Sequence, residues 1–203
     1  MPVLMSYALY APWMDDYMPS YDRVLVDSGA YSEMNSGKRI DLPAYCEWAG
    51  SLRGIDAWAG LDDINGDWRR SLRNYEQGGF PTMHDTDPDG LLDDLLPIAE
   101  ERGWWLGIGL KPPRQGKERW VRETLERIPP HIHVHGWALR AYTHLSRLDS
   151  VDSTNWFRDS WKVQNELPWL TPGECLDIVV KRYKRWERVK EIDQTQLTLD
   201  ATF

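Results

Sequence analysis

Short apolar runs that stop on a carboxylate recur along this chain. Val24, Leu25 and Val26 lead into Asp27-Ser28-Gly29, Ala57 to Leu61 lead into Asp62-Asp63, and Val151 leads into Asp152-Ser153. An aliphatic run of this length, closed by Asp, Ser or Gly, reads as a buried parallel strand whose C-terminal end opens on a polar site. Between these runs the spacing becomes helical. Asp41 stands as an N-cap before Leu42-Pro43, and Tyr45, Trp48, Ala49 and Leu52 fall on one face. Asp67 caps a helix through Trp68, Leu72 and Tyr75 that stops at Gly78-Gly79. Pro88 to Arg102 repeats Leu91, Leu92, Leu95, Ile98 and Ala99 at helical intervals and ends at Gly103.

The same reading predicts strands over Val3–Leu9, Arg23–Asp27, Trp104–Leu110 and Ile132–Gly136, and a short polar-ended segment over Pro81–Asp85. It predicts helices over Lys117–Ile128 and Leu139–Leu148, a glycine-containing loop after Asp27, and an amphipathic helix over 172–192. Strand and helix alternate with short links, which selects an α/β fold with a parallel sheet. An open doubly wound sheet gathers its polar residues at one switch point, whereas here nearly every strand ends in one. That favours a TIM-like barrel. At 203 residues the chain is short for a complete barrel, so a compact or irregular one is expected, as a single domain over 1–203.

Charge narrows the partners. A formal net charge of -8 argues against coating nucleic acid by bulk electrostatics, but leaves room for a local basic groove. Lys111 and Arg114 after one strand, and Lys181, Arg185 and Arg188 on the last helix, are the candidates for phosphate contacts; solvated surface charge is the competing reading. The two cysteines, Cys46 and Cys175, can build neither a disulfide framework nor a cysteine zinc site. No run approaches the roughly 20 apolar residues of a membrane span, and no basic leader precedes the first apolar residues, so a soluble cytoplasmic protein is expected. Twelve tryptophans supply mostly half-buried packing, with a minority able to stack on a base or sugar.

Asp27 and Asp152 are the leading chemical pair. Two carboxylates at one mouth can divide the work of substitution at a sugar carbon, one as nucleophile and one moving the proton. The competing role for each is to cap the turn that follows. Of Asp62 and Asp63 only one should face inward, because neighbours on a strand alternate. His84, His133 and His135 lack the local signature of a zinc site and are expected as polar residues of the mouth, with no metal or other cofactor. Gly107 and Gly109 match no dinucleotide fingerprint; their missing side chains would let a flat ring approach the backbone.

Asp27-Ser-Gly-Ala-Tyr-Ser resembles the Asp-Ser-Gly-Gly-Phe/Tyr-Gln segment of tRNA-guanine transglycosylases, and more closely the Asp-Ser-Gly-Ala-Phe-Ser form of their phage-borne, DNA-acting relatives. His133-Val-His-Gly-Trp and Val151-Asp-Ser-Thr-Asn-Trp are similar to later blocks of those relatives, in the same order. The resemblance implies a TIM-barrel enzyme that exchanges guanine in a polynucleotide for a free 7-deazaguanine base of the preQ0 kind. It makes Asp152 the nucleophile that holds a covalent glycosyl intermediate and Asp27 the general acid/base. It puts Ser28, Gly29, Asp62 or Asp63, His84, Gly107, Gly109, His135 and Gly136 around the base. The tRNA enzymes carry a Cys-Cys-Cys-His zinc site and a Pro-Thr-Arg continuation after the nucleophile, and this shorter chain has neither. DNA is therefore the expected polynucleotide and tRNA the alternative. A glycosidase using the same two acids and a non-catalytic nucleic-acid-binding barrel are the other readings, and a homodimer is left open.

Overall fold

The computed structural model describes residues 2–181 except 13, 14, 16, 17, 21, 38, 113–115, 143, 153, 154, 172, 173, 176, 177 and 180. The chain divides into two compact units, Met1–Asp152 and Ser153–Phe203.

In the first unit the strands are β1 (Pro2–Ser6), β2 (Arg23–Asp27), β3 (Ala57–Trp58), β4 (Thr82–His84), β5 (Trp105–Gly109), β6 (His133–Trp137) and β7 (Ser150–Val151). They form two parallel sheets, ordered β1-β2-β3 and β4-β5-β6-β7, so within each sheet every strand lies beside its predecessor in the chain. An isolated parallel bridge between Ala59 and Phe80 links the two sheets. There the Phe80 N–H donates to the Trp58 carbonyl and the Gly60 N–H to the Phe80 carbonyl, both at 2.8 Å.

The helices of this unit are α1 (Ala30–Ser36), α2 (Leu42–Ser51), α3 (Trp68–Tyr75), α4 (Leu91–Glu101) and α5 (Glu118–Arg127). The capping signals act as their chemistry requires. Asp41 accepts from the Ala44 N–H at 2.9 Å and Asp67 from the Arg70 N–H at 3.2 Å. In the second unit α6 runs over Asn155–Glu166. Of the helix expected over 172–192, residues 174, 175, 178, 179 and 181 are described and helical, and Lys181 is exposed. Arg185 and Arg188 lie outside the described residues, as does Arg114.

Side chains alternate across the strands and thereby make separate cores. Met83, Leu106, Ile108 and Val134 join Leu92, Leu95 and Ala99 of α4 and Val121 and Leu125 of α5 in the largest cluster. Val24 and Val26 pack with Tyr45 and Ala49 of α2. The opposite strand face carries a third cluster, Leu25, Ala57, Ala59, Phe80 and Trp105 with Leu4 and Trp137, which draws on both sheets. Burying one large aliphatic side chain contributes about 1.5–3 kcal/mol, so the helix-facing clusters supply most of the drive to fold.

Three expectations are corrected. The strand expected over Val3–Leu9 ends at Ser6, and Tyr7–Leu9 form a 3-10 turn. The glycine-containing loop after Asp27 is in fact a helix, α1, entered through Gly29 at φ 82° and left through Gly37 at φ 68°. The helix expected over Leu139–Leu148 is a chain of tight turns. Tyr142 N–H bonds Leu139 O, Leu145 N–H bonds Tyr142 O and Leu148 N–H bonds Leu145 O. The apolar residues there recur every three positions, a spacing that suits i to i+3 turns better than an α-helix.

Gly107 is a close-approach position. A Cβ there would lie 2.4 Å from both Thr82 Oγ1 and Trp137 Nε1, two atoms joined by a 3.1 Å hydrogen bond. Gly107→Ala is therefore expected to destabilise the protein by about 1–3 kcal/mol, read as a lowered urea midpoint. An unchanged midpoint would mean that the Trp137 indole moves aside freely.

Candidate active site at the strand ends

Asp27 ends β2 and opens the segment that turns into α1. Gly29 must be glycine there: its φ is 82°, and a Cβ would meet Ala8 Cβ at 2.5 Å. This tight turn lets the Gly29 N–H and the Ser6 hydroxyl hydrogen-bond to Asp27. Ser28 is buried, and its Oγ accepts from the Ala30 N–H at 3.4 Å. Removal from water pushes the Asp27 carboxyl up to about 6, against the pull of the Gly29 donor; the charges of Asp62 and Asp152 raise it further. Asp27 thus responds electrostatically to both other acids.

Asp62 follows β3, and its Oδ2 sits 3.3 Å from His84 Nε2 at the end of β4. Burial raises its pKa, opposed by His84 and Lys111. His84 is buried, its N–H donates to Asp87 Oδ2 at 2.7 Å, and its Nδ1 lies 3.7 Å from the same carboxylate. Asp63 turns the other way. Its carboxylate takes Arg70 at 2.9 Å and the Asn65 N–H at 2.9 Å, while its own N–H donates to Ser71 Oγ at 2.7 Å. It fastens the loop onto α3, and Asp62 is the member of the pair that approaches Asp27 and His84. A cleft of about 250 Å³ lies against Asp62, bounded by Ala30, Glu33, Asn65 and Arg70.

Asp152 stands just past β7. Its N–H donates to the Gly136 carbonyl at 3.2 Å, and its Oδ1 accepts from the Ala138 N–H. Ala138 has φ 58°, a left-handed conformation unusual for a residue with a side chain. Gly136 itself faces the helix side, where a Cβ would lie 3.0 Å from Leu139 and Val151.

Between these acids the strands present Gly109, Gly107, His135 and Trp137. Gly109 is flanked by His84 and Trp137, whose atoms a Cβ would meet at 2.9 and 3.4 Å. His135 is 2% exposed, its Nδ1 lies 2.7 Å from Ser150 Oγ, and its ring meets Trp137 edge-on at 4.1 Å between centroids. Burial drives its pKa down to about 3, so the imidazole is neutral at ordinary pH. His133 shares the His135 face but is exposed and lies 3.3 Å from Asp149. Among the described residues no group of three or more His, Cys, Asp or Glu is arranged to hold a metal ion.

Lys111 follows β5. Its backbone N–H donates to Asp85 Oδ1 at 2.7 Å and its carbonyl accepts from Lys117 Nζ at 3.0 Å, while Lys117 itself pairs with Asp85. The Lys111 ammonium is enclosed and has no hydrogen-bond partner among the described residues.

The sequence reading passed over Ser6, Thr82, Trp137 and Ser150. The signal for the last three was the strand period: Thr82 lies two residues before His84, Trp137 two beyond His135, and Ser150 two before Asp152. No family model, curated protein or solved structure matches this chain.

The raised Asp27 carboxyl has a thermodynamic signature. Its ordinary value is 3.8 and its folded value about 6, so between these limits the folded protein binds more protons than the unfolded chain. The contribution favours folding below pH 3.8 and is lost as pH rises through 6. Asp27→Asn, which keeps the shape without the charge, should raise unfolding free energy at pH 7 by on the order of 2–3 kcal/mol. The gain should fade below about pH 4 in denaturation curves measured across pH. A gain of equal size at both ends would assign the effect to packing.

Proposed function

We propose that this chain is a base-exchange transglycosylase acting on guanine in DNA, with tRNA as the alternative polynucleotide and a free 7-deazaguanine as the incoming base. The observation that carries the proposal is the electrostatic meeting of Asp27 with Asp62 and Asp152 at the ends of β2, β3 and β7. Two of these strand ends, at Asp27 and Asp152, lie in blocks that resemble the guanine transglycosylases. Chain-order parallel pairing, the Ala59–Phe80 bridge and an apolar cluster shared by both sheets support a compact, irregular TIM-like barrel with these acids at its mouth.

In this reaction an Asp152 carboxylate oxygen attacks C1′ of the target nucleotide. The C1′–N9 bond breaks, the departing guanine takes a proton from Asp27, and the sugar is held as an aspartyl ester. The incoming base then gives its proton to Asp27 and attacks C1′, which frees Asp152. A carboxyl poised at about 6 can donate in the first half and accept in the second. Asp62, as an acceptor, suits the N–H edge of a guanine-type ring. The target base must be unstacked from its neighbours to enter.

Two experiments test this. Incubation with labelled guanine and DNA or tRNA should place label in the polynucleotide, whereas abasic product alone would indicate a glycosidase. A denaturation-resistant adduct between protein and polynucleotide should form on the wild type and vanish in Asp152→Asn, with turnover falling on the order of 10⁴-fold or more. Unimpaired exchange by that variant would remove Asp152 as nucleophile.

A further inference from the structure

An open groove of about 500 Å³ lies among Glu100, Gly103, Trp104, His131 and His133. It stands where α4 ends and β5 and β6 begin, whereas Asp27, Asp62 and Asp152 follow the C-terminal ends of their strands. Trp104 is 47% exposed and adopts φ 68°. Its N–H closes the end of α4 on the Ala99 carbonyl at 2.8 Å, but Gly103, at φ 92°, already supplies the left-handed residue that such a helix end needs. Trp104 is a second one, and a bulky side chain in that conformation carries strain. Among the described residues its indole joins none of the apolar clusters, so the strain is not offset by a place in the core.

Positive charge is what the groove lacks. Among the described residues no lysine or arginine lines it. The last turn of α4 has no basic residue and ends in Glu100 and Glu101, which puts acid at the negative pole of the helix. Arg102, at the cap, is turned to the Glu76 carbonyl at 3.2 Å and to Glu101 at 3.5 Å. The exposed Glu100 carboxylate lies 3.3 Å from His131 Nε2, and that imidazole meets the Trp104 ring edge-on at 5.0 Å between centroids.

A carboxylate, an indole and a helix C-terminus each attract a cation, and the same carboxylate and helix end repel a phosphate. A guanidinium suits them better than an ammonium, because it is flat enough to stack on the indole while its N–H fork donates to the carboxylate. The volume falls in the range of ligand sites, which leaves room for the segment that carries the guanidinium. We propose that this groove docks an arginine side chain on an exposed segment of a protein partner, with the guanidinium on the Trp104 indole and its N–H groups donating to Glu100. The docking is independent of base exchange, whose residues stand at the other strand ends.

The test is titration of the full ¹⁵N-labelled chain with an acetylated and amidated Gly-Ser-Arg-Ser-Gly peptide, followed by NMR at the Gly103 amide and the Trp104 indole N–H. Both signals should shift to saturation. The same peptide with citrulline, which keeps the shape without the charge, should bind more weakly by roughly 3- to 30-fold, as should the arginine peptide to Trp104→Gly. Glu100→Gln should weaken it by roughly 2- to 5-fold. Glycine accepts the backbone conformation at Trp104, so the melting temperature of Trp104→Gly should equal or exceed that of wild type. Should that variant unfold, Glu100→Gln, on an exposed side chain, decides the matter. Equal binding of the two peptides, unchanged affinity in Glu100→Gln, or shifts confined to the residues around Asp27 and Asp152 would overturn the proposal. So would a wild type that sediments as a dimer and is dispersed by Trp104→Gly, since a second copy would then cover the groove.

Discussion

A carboxylate drawn out of water keeps its proton more tightly, and the first unit of this protein draws several acids out of water at one end of a set of parallel strands. Parallel pairing in chain order makes this unavoidable. Every strand runs the same way, so the residues that follow the strands share an end, and whatever polar groups the chain places there must coexist. Asp27, Asp62 and Asp152 do so at a cost, visible in the upward shift at Asp27. The clusters between the strands and α2, α4 and α5 must offset it. The same strand face holds His135 as a neutral ring, whose pH linkage has the opposite sign. With its pKa lowered to about 3 from 6.5, His135 loses stability for the fold as pH falls through that window, while Asp27 gains it as pH falls through 6.

Small residues decide how close the polar groups come. Gly107 leaves the space in which the Trp137 indole reaches Thr82, and that indole lies nearly parallel to Phe80, 6.3 Å between centroids. Trp137 therefore joins the apolar cluster below to the polar groups above. It also meets the His135 ring edge-on and stands beside Gly109. Gly29 does the equivalent on the other sheet, where its backbone turns close against Ala8 and delivers an N–H to Asp27.

Much of this arrangement was legible as pattern. The strand read over Arg23–Asp27 is β2 to the residue, and the caps Asp41 and Asp67 marked α2 and α3; which of Asp62 and Asp63 approaches Asp27 was left open by the sequence. What stayed hidden was set by tertiary geometry. A glycine at positive φ that starts a helix, as Gly29 does, reads in isolation as a loop residue. A three-residue apolar spacing, as in Leu139, Tyr142, Leu145 and Leu148, is close enough to helical spacing to pass for it. The Lys111 ammonium lies 3.5 Å from where a Cβ on Gly66 would stand, a proximity between residues more than forty positions apart, and its basic neighbours suggested open surface instead.

The two principal acids also differ in a way that bears on their roles. Asp27 sits where loss of water outweighs its hydrogen bonds, so the neutral acid is favoured up to about pH 6. Asp152 receives the N–H of Ala138, a donor aimed by a left-handed residue just past β6. A donor on a carboxylate oxygen favours the ionised form, and an unusual backbone conformation held at that point keeps the donor in place. The two acids are thus held differently, Asp27 by burial against its donors and Asp152 with a backbone N–H on its carboxylate. The difference arises from local geometry: a glycine turn and loss of water at Asp27, a backbone donor at Asp152.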